Sequence, residues 1–156
     1  MSNYKIMLVG MAGVGKTQYI RRCMGNKFEE KYIPTLSHYI YIVRCTTDIG
    51  NIIEFEVWDL AGQEMYDNNR REFYENSVGC IVMMDETKIS HKIINKISHE
   101  EYNKLPTIFV ANKSDVKKNI GSGIDVFMSV KHNINIELPL LFLARKISNN
   151  PDLNFV

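Results

Sequence analysis

Short apolar stretches alternate along the chain with segments in which apolar residues recur every three or four positions. The apolar stretches predict buried strands, and the three- and four-residue spacing predicts amphipathic helices. Strands that alternate with helices are typical of a parallel sheet with crossover helices. The predicted strands cover 4–9, 38–46, 52–58, 79–85, 107–111 and 124–128, and the predicted helices cover 16–25, 66–76, 91–104 and 136–148.

One connection in this pattern predicts an antiparallel pair. The second and third predicted strands are separated by the turn-rich stretch from Thr47 to Asn51, which suits a hairpin at one edge of the sheet. The remaining strands should be parallel. We therefore expect an α/β fold with a mostly parallel six-stranded sheet and helices on both of its faces.

Length and composition indicate the number of domains and argue against several kinds of ligand and site. The chain has 156 residues, of which 45% are hydrophobic and 24% charged, so we expect a single domain over 1–156. A formal net charge of +1 gives no global electrostatic attraction to nucleic acid or to an anionic membrane. The three cysteines lack metal-ligand spacing and are odd in number, which argues against a disulfide framework or a zinc site.

Targeting signals are also missing from the pattern. No apolar stretch approaches 18 residues, and the N-terminus runs directly into the first predicted strand, so we expect the cytoplasm, the nucleus or both. Ser2 replaces the glycine that myristoylation needs, and the last six residues contain no cysteine for prenylation. We expect a monomer without a membrane anchor.

A glycine-rich motif lies between the first strand and the first helix. Residues 10–17 (GMAGVGKT) fit G-x-x-x-x-G-K-[ST], in the place where that motif binds phosphate. Its glycines let backbone N–H groups, here of Gly13, Val14 and Gly15, surround the phosphates at a helix N-terminus. Lys16 would contact the β- and γ-phosphates, and the Thr17 hydroxyl would coordinate Mg²⁺.

Two further motifs follow predicted strands. Residues 58–64 (WDLAGQE) place Asp59 at a strand end, where it can hold Mg²⁺ through water. Residues 112–115 (NKSD) follow the fifth predicted strand, at the carboxyl edge where nucleobases bind an open sheet. The Asp115 carboxylate can accept hydrogen bonds from N1–H and N2–H₂ of guanine, whereas adenine offers no such donor pair. The sequence therefore predicts GTP and GDP as ligands.

Together these motifs resemble the P-loop G domain of the Ras-superfamily small GTPases, and specifically the Ran branch. The resemblance covers nearly the whole chain. Its Ran-like part rests on 28–36 (FEEKYIPTL), on 58–64, and on 143–146 (LARK) with 152–156 (DLNFV).

The resemblance implies roles for individual residues. Thr35 would coordinate Mg²⁺ and sense the γ-phosphate in the first switch, with the Gly62 N–H as its counterpart in the second. Gln63 would orient the attacking water, so Gln63, Lys16 and Thr35 form the implied catalytic set. The remaining implied nucleotide contacts are made by Phe28, Asn112, Lys113, Ser129, Val130 and Lys131, where Val130 would use its backbone N–H.

The chain departs from the resembled family in several places. Ala12 replaces a glycine beside the γ-phosphate, and its methyl group would crowd Gln63 or a group from an activating protein. Residues 65–70 (MYDNNR) replace a glycine-rich stretch of Ran. The segment 115–129 has room for a loop and one strand, so we expect the fourth crossover helix to be missing. The linker, C-terminal helix and acidic tail of Ran have no counterpart here.

Two functions remain open at this stage. The first is an active GTP-hydrolysing switch that engages nuclear-transport receptors, an exchange factor and a GTPase-activating protein. The second is a weakly hydrolysing decoy that sequesters transport receptors. Thr17, Thr35, Asp59 and Gln63 favour the first, whereas Ala12 and the shortened scaffold favour the second. A Rab-like trafficking role needs a lipidated C-terminus, and a nucleotide kinase leaves residues 112–115 unexplained.

Overall fold

A computed structural model of the chain describes residues 1–10, 13–25, 30–33, 38–60, 75–85, 104–112 and 123–156. These residues form a seven-stranded sheet and two helices. In chain order the elements are β1 (Ser2–Val9), α1 (Lys16–Met24), β2 (Glu30–Ile33), β3 (His38–Thr46), β4 (Ile52–Leu60), β5 (Gly79–Asp85), β6 (Thr107–Asn112), β7 (Val126–Phe127) and α2 (Leu138–Ser148).

The sheet has the strand order β2-β3-β4-β1-β5-β6-β7. β2, β3 and β4 are antiparallel neighbours, while β4, β1, β5, β6 and β7 run parallel. The carboxyl ends of the parallel strands therefore meet at one edge, on both sides of the central β1. Connections that follow β1, β4, β5 and β6 all start at that edge, which is where open α/β sheets bind ligands.

Both faces of the central strands are buried. In β1, Ile6 and Leu8 belong to the larger apolar cluster, whereas Met7 and Val9 belong to a second cluster that includes Cys80. Successive side chains of a strand point to opposite faces, so this division follows directly from the strand geometry. Near-continuous apolar stretches are what a parallel sheet covered on both faces requires.

The two described helices pack on the face of the larger cluster. α1 contributes the buried Tyr19 and Ile20, and α2 contributes Leu143 and Ala144. α2 approaches β5 closely at Gly79, where a Cβ atom would lie 2.9 Å from Leu143 Cδ1. A larger residue at this position would push the helix away from the sheet.

The segment after α2 returns to the β3–β4 hairpin. Asn149 ends the helix in the left-handed conformation with φ of 52°, and its N–H donates to Arg145 O. Further along, Asp48 N–H donates to Asn154 O and Val156 N–H to Thr46 O, both at 2.9 Å. These bonds attach residues 154–156 to the end of the hairpin.

The fold class predicted from the sequence is confirmed: the chain has the mostly parallel sheet of a P-loop G domain. The hairpin at 47–51 is also confirmed, since Thr47 N–H donates to Asn51 O at 2.8 Å across it. All six predicted strands are present, and β2 is an additional, seventh strand at the sheet edge.

Several boundaries differ from the sequence-based prediction. The strand expected over 124–128 is only Val126–Phe127, and the helix expected from 136 begins at Leu138, after Asn135 has taken a φ of 58°. The helix predicted to reach 76 does not, because 75–76 form a turn in which Asn76 has φ of 62°. Three other predicted segments lie outside the described residues. They are the predicted helix up to residue 74, the helix predicted over 91–104 except for Lys104, and residues 113–122 of the shortened segment.

Candidate functional site

The phosphate loop begins at the end of β1 and leads into α1. Gly13 and Gly15 have φ of 78° and 97°, values that side chains with a Cβ rarely adopt. Gly15 precedes the first helical residue, Lys16, and among the described residues no side chain caps this helix start. An anion at this helix start would be favoured by the first N–H groups of α1 and by the helix dipole.

Close packing explains why two positions of this loop are glycine. A Cβ atom on Gly10 would lie 2.3 Å from Met83 O, and one on Gly15 would lie 2.5 Å from Asn112 Nδ2. Both distances are far below van der Waals contact. The loop is therefore held against β5 and the end of β6 by contacts that only glycine permits.

Lys16 extends across the loop. Its side chain is only 8% exposed, and Nζ donates to Gly10 O at 2.7 Å. The ammonium group thus lies beside the first residue of the motif, inside the curve of the loop. A phosphate that enters the loop would meet this positive charge, and the contact itself stays a prediction.

A hydroxyl and a carboxylate meet next to Lys16. Thr17 Oγ1 donates to Asp59 Oδ2 at 3.1 Å, and Asp59, near the end of β4, is only 5% exposed. The parallel register of β1 and β4 pairs Leu8 with Asp59, which brings the strand end beside the phosphate loop. A buried carboxylate beside a phosphate site would repel the ligand unless a cation lay between them. The oxygen donors of Thr17 and Asp59 therefore fit Mg²⁺, which keeps several waters and needs few protein ligands.

Asn112 connects the loop with a third segment. The side chain is 3% exposed; Nδ2 donates to Val14 O at 2.8 Å and Oδ1 accepts from Val130 N–H at 3.1 Å. One amide thus holds the phosphate loop, the end of β6 and the turn at 129–132 together. The sequence marked Asn112 as a nucleotide contact but not as this link, although a buried amide at a strand end always needs partners.

The turn at 129–132 is built around Ser129. Ser129 is fully buried, its Oγ accepts from His132 N–H at 3.2 Å, and its backbone exchanges hydrogen bonds with Ile134. Lys131 is exposed. The Val130 N–H donates to Asn112 Oδ1, and its contact with the nucleobase stays a prediction.

The positions described so far cluster at the carboxyl edge of the sheet. A comparison with protein families adds that residues 5–115 match the family described as Ras of Complex, Roc, domain of DAPkinase. The chain belongs to the Roc family. The matched part spans more than two thirds of the chain and includes the phosphate loop, Asp59 and Asn112.

Roc domains are Ras-like, GTP-binding domains, so membership in the Ras superfamily and the nucleotide class are confirmed. This family match supports the Ras superfamily but not the Ran branch within it. It ends at Asp115, so the turn at 129–132 lies beyond it.

Several predicted site residues of this Roc domain lie outside the described residues, and their roles stay predictions: Ala12, Phe28, Thr35, Gly62, Gln63, Lys113 and Asp115. Those that the structure does place at the site are Gly13, Val14, Gly15, Lys16, Thr17, Asp59, Asn112, Ser129, Val130 and Lys131.

The rest of the described Roc domain offers little competing chemistry. Within the described ranges, no group of three or more His, Cys, Asp or Glu side chains is arranged to hold a metal ion. No described helix has the length and apolar character to cross a membrane. Burial raises the pKa of the Cys80 thiol from 9.0 to about 12, which keeps it protonated and unreactive at neutral pH.

Proposed function

We propose that this Roc domain is a molecular switch that binds GTP and hydrolyses it to GDP and phosphate. The observation that supports it most is the convergence of Lys16, the Thr17–Asp59 pair and Asn112 at one edge of the sheet. These elements offer a cation, an N–H-lined helix start and oxygen ligands side by side. A nucleoside triphosphate with Mg²⁺ is the ligand that uses all three.

Phosphate binding rests on α1 and its preceding loop. Lys16 would exchange its bond to Gly10 O for the phosphate oxygens, and the helix N-terminus would donate further hydrogen bonds. Thr17 and Asp59, with Thr35 by resemblance, would hold Mg²⁺. When bound, Mg²⁺ neutralises charge on the phosphate oxygens.

Hydrolysis would use Gln63 to orient a water molecule in line with the γ-phosphate. Lys16 and the loop N–H groups would stabilise the charge that develops on the phosphate oxygens. The phosphate loop, residues 10–17, contains no arginine, so we expect slow intrinsic turnover and acceleration by a partner.

Guanine selection is tested at Asp115. Asp115→Asn should weaken GTP and favour xanthosine triphosphate, because the asparagine amide can donate to the oxygen that replaces the guanine 2-amino group. Calorimetric titration of both nucleotides measures the switch in preference, and the matched change Asp152→Asn on the exposed C-terminal segment should leave it unchanged. Equal binding of ATP and GTP by the wild type would refute the assignment.

Catalysis is tested at Gln63 by single-turnover phosphate release. Gln63→Leu should slow hydrolysis by about 100-fold if the water is no longer positioned. Gln18→Leu, the same change at an exposed position of α1, should have no effect. A Gln63→Leu rate equal to a measurable wild-type rate contradicts the catalytic role, whereas a wild type that binds GTP without hydrolysing it points to the decoy alternative. Ala12→Gly should then restore turnover under an activating protein.

The Ran-like transport role rests on the resemblance of residues 28–36, 58–64, 143–146 and 152–156. We propose that the domain acts as a monomer in the cytoplasm or nucleus and engages transport receptors in its GTP form, with an exchange factor and a GTPase-activating protein as further partners. Pull-downs with GTP-analogue-loaded and GDP-loaded protein test this. Failure to capture any import or export receptor in either state would refute the transport role and leave nucleotide binding intact.

A further inference from the structure

A cavity lies at the end of α1 that is remote from the phosphate loop. It is lined by the C-terminal half of α1, strand β3, the residues that precede and begin α2, and Phe155, and it opens to solvent on one side. Its volume is about 270 Å³. An engineered cavity of about 150 Å³ holds benzene, so this space suits a molecule of about two fused rings.

The cavity is separate from the nucleotide site. Cys23 lies seven positions after Lys16 in α1, a distance of about 10 Å along the helix axis. Cys45 lies six positions along β3 from Tyr39, the partner of Asp59, which corresponds to about 20 Å of strand. A ligand of two fused rings bound here would not reach the phosphate loop.

The inner wall is apolar and uncharged. Val43 and Leu140 are each 2% exposed, and they meet the side chain of Phe155 and the thiols of Cys23 and Cys45 around the space. Burial raises the pKa of Cys23 to about 12 and that of Cys45 to about 11, so both thiols are neutral at physiological pH. An ionised group in the interior would lack a counter-charge there.

Polar groups are confined to the opening. Arg22, Asn133 and Glu137 line the cavity and are exposed, so the mouth presents hydrogen-bond donors and acceptors with no net charge. Behind the wall, the fully buried Tyr19 hydroxyl lies next to the Cys23 thiol. An apolar interior with a few polar groups at the rim is typical of small-molecule sites.

We propose that this cavity binds a small, neutral, bicyclic aromatic molecule whose single polar group faces the opening. The rings fill the space between β3 and α2, and the polar group bonds to the Arg22, Asn133 or Glu137 side chain. This site goes beyond nucleotide binding, because it uses none of the residues of the phosphate loop.

The test uses 2-naphthol as the probe and the wild-type protein saturated with GDP and Mg²⁺. Amide chemical shifts measured during the titration should change at the end of α1, in β3 around Val43 and Cys45, and at the start of α2. 1-Hydroxypyrene, with four fused rings, should not bind. Shifts elsewhere, or no saturable binding up to about 1 mM 2-naphthol, would overturn the proposal.

Size variants at Cys45 provide a second measurement. Cys45→Leu should weaken 2-naphthol binding by about tenfold, because the larger side chain occupies the space of the rings. Cys45→Ala should bind at least as tightly as the wild type, and Cys80→Ala, a matched change on the other face of the sheet, should leave the affinity unchanged. Equal affinities of Cys45→Leu and the wild type would refute the site.

Discussion

The link made by Asn112 can be tested by truncating the side chain. Asn112→Ala removes both hydrogen bonds and leaves the buried Val14 C=O and Val130 N–H without partners. Each stranded buried group costs about 1–3 kcal/mol, so we expect the free energy of unfolding to fall by about 3 kcal/mol. For a chain of this size, that loss lowers the melting temperature by about 6–12 °C.

The assay is urea unfolding followed by circular dichroism at several GDP concentrations. Bound nucleotide adds its own stabilisation, so the comparison must extrapolate each variant to zero ligand. Asn112→Asp keeps the acceptor for Val130 N–H but replaces the donor to Val14 O with a buried carboxylate, so it should destabilise the fold at least as much as Asn112→Ala. Asn3→Ala, at an exposed position of β1, should change stability by less than about 0.5 kcal/mol. An Asn112→Ala loss as small as that of Asn3→Ala would refute the link.

Two further predictions concern the metal ligands and a buried thiol. Thr17→Ala should weaken Mg²⁺ by at least about tenfold in a magnesium titration of nucleotide release, whereas Thr17→Ser keeps the hydroxyl and should stay close to the wild type. Equal Mg²⁺ dependence of Thr17→Ala and the wild type would argue against this site. Because the folded pKa of Cys80 is raised to about 12 and the unfolded value is 9.0, only the unfolded state loses this proton above pH 9. The free energy of unfolding of the wild type should therefore fall more steeply with pH than that of Cys80→Ala, by a difference that approaches about 1.4 kcal/mol per pH unit between pH 10 and 11, and parallel pH profiles would contradict this prediction.

The hydrophobic pattern was sufficient to predict the central sheet. β5 has the predicted bounds because continuous burial on both faces leaves an unbroken apolar stretch. β2 was not predicted because it is a four-residue edge strand without a continuous apolar stretch. Two of its four residues, Glu30 and Lys31, are charged. β7 is shorter than predicted, since beside it Asp125 uses its side chain to accept from Phe109 N–H at 2.8 Å.

Motif spacing predicts where the elements around the phosphate loop lie, but not every contact between them. The locations of the phosphate loop and of Asp59 could be predicted. The end of β1 and the start of α1 fix where Lys16 and Thr17 lie, and the end of β4, next to β1, fixes Asp59. The use of Val130 N–H could not be predicted, since it depends on which residue folds next to it, and Asn112 lies 18 positions away. Contacts between distant segments leave no periodic trace in the sequence.

The Asn112 bonds also set an order of events during synthesis. Val14 and Asn112 are 98 positions apart, and Val130 follows Asn112 by another 18. At about 5–20 residues per second, the ribosome completes the phosphate loop some 6–23 s before it releases the last of these three partners. The nascent chain therefore carries an unanchored loop until Asn112 has been made, and nucleotide can stabilise the complete site only once residues near 130 have emerged.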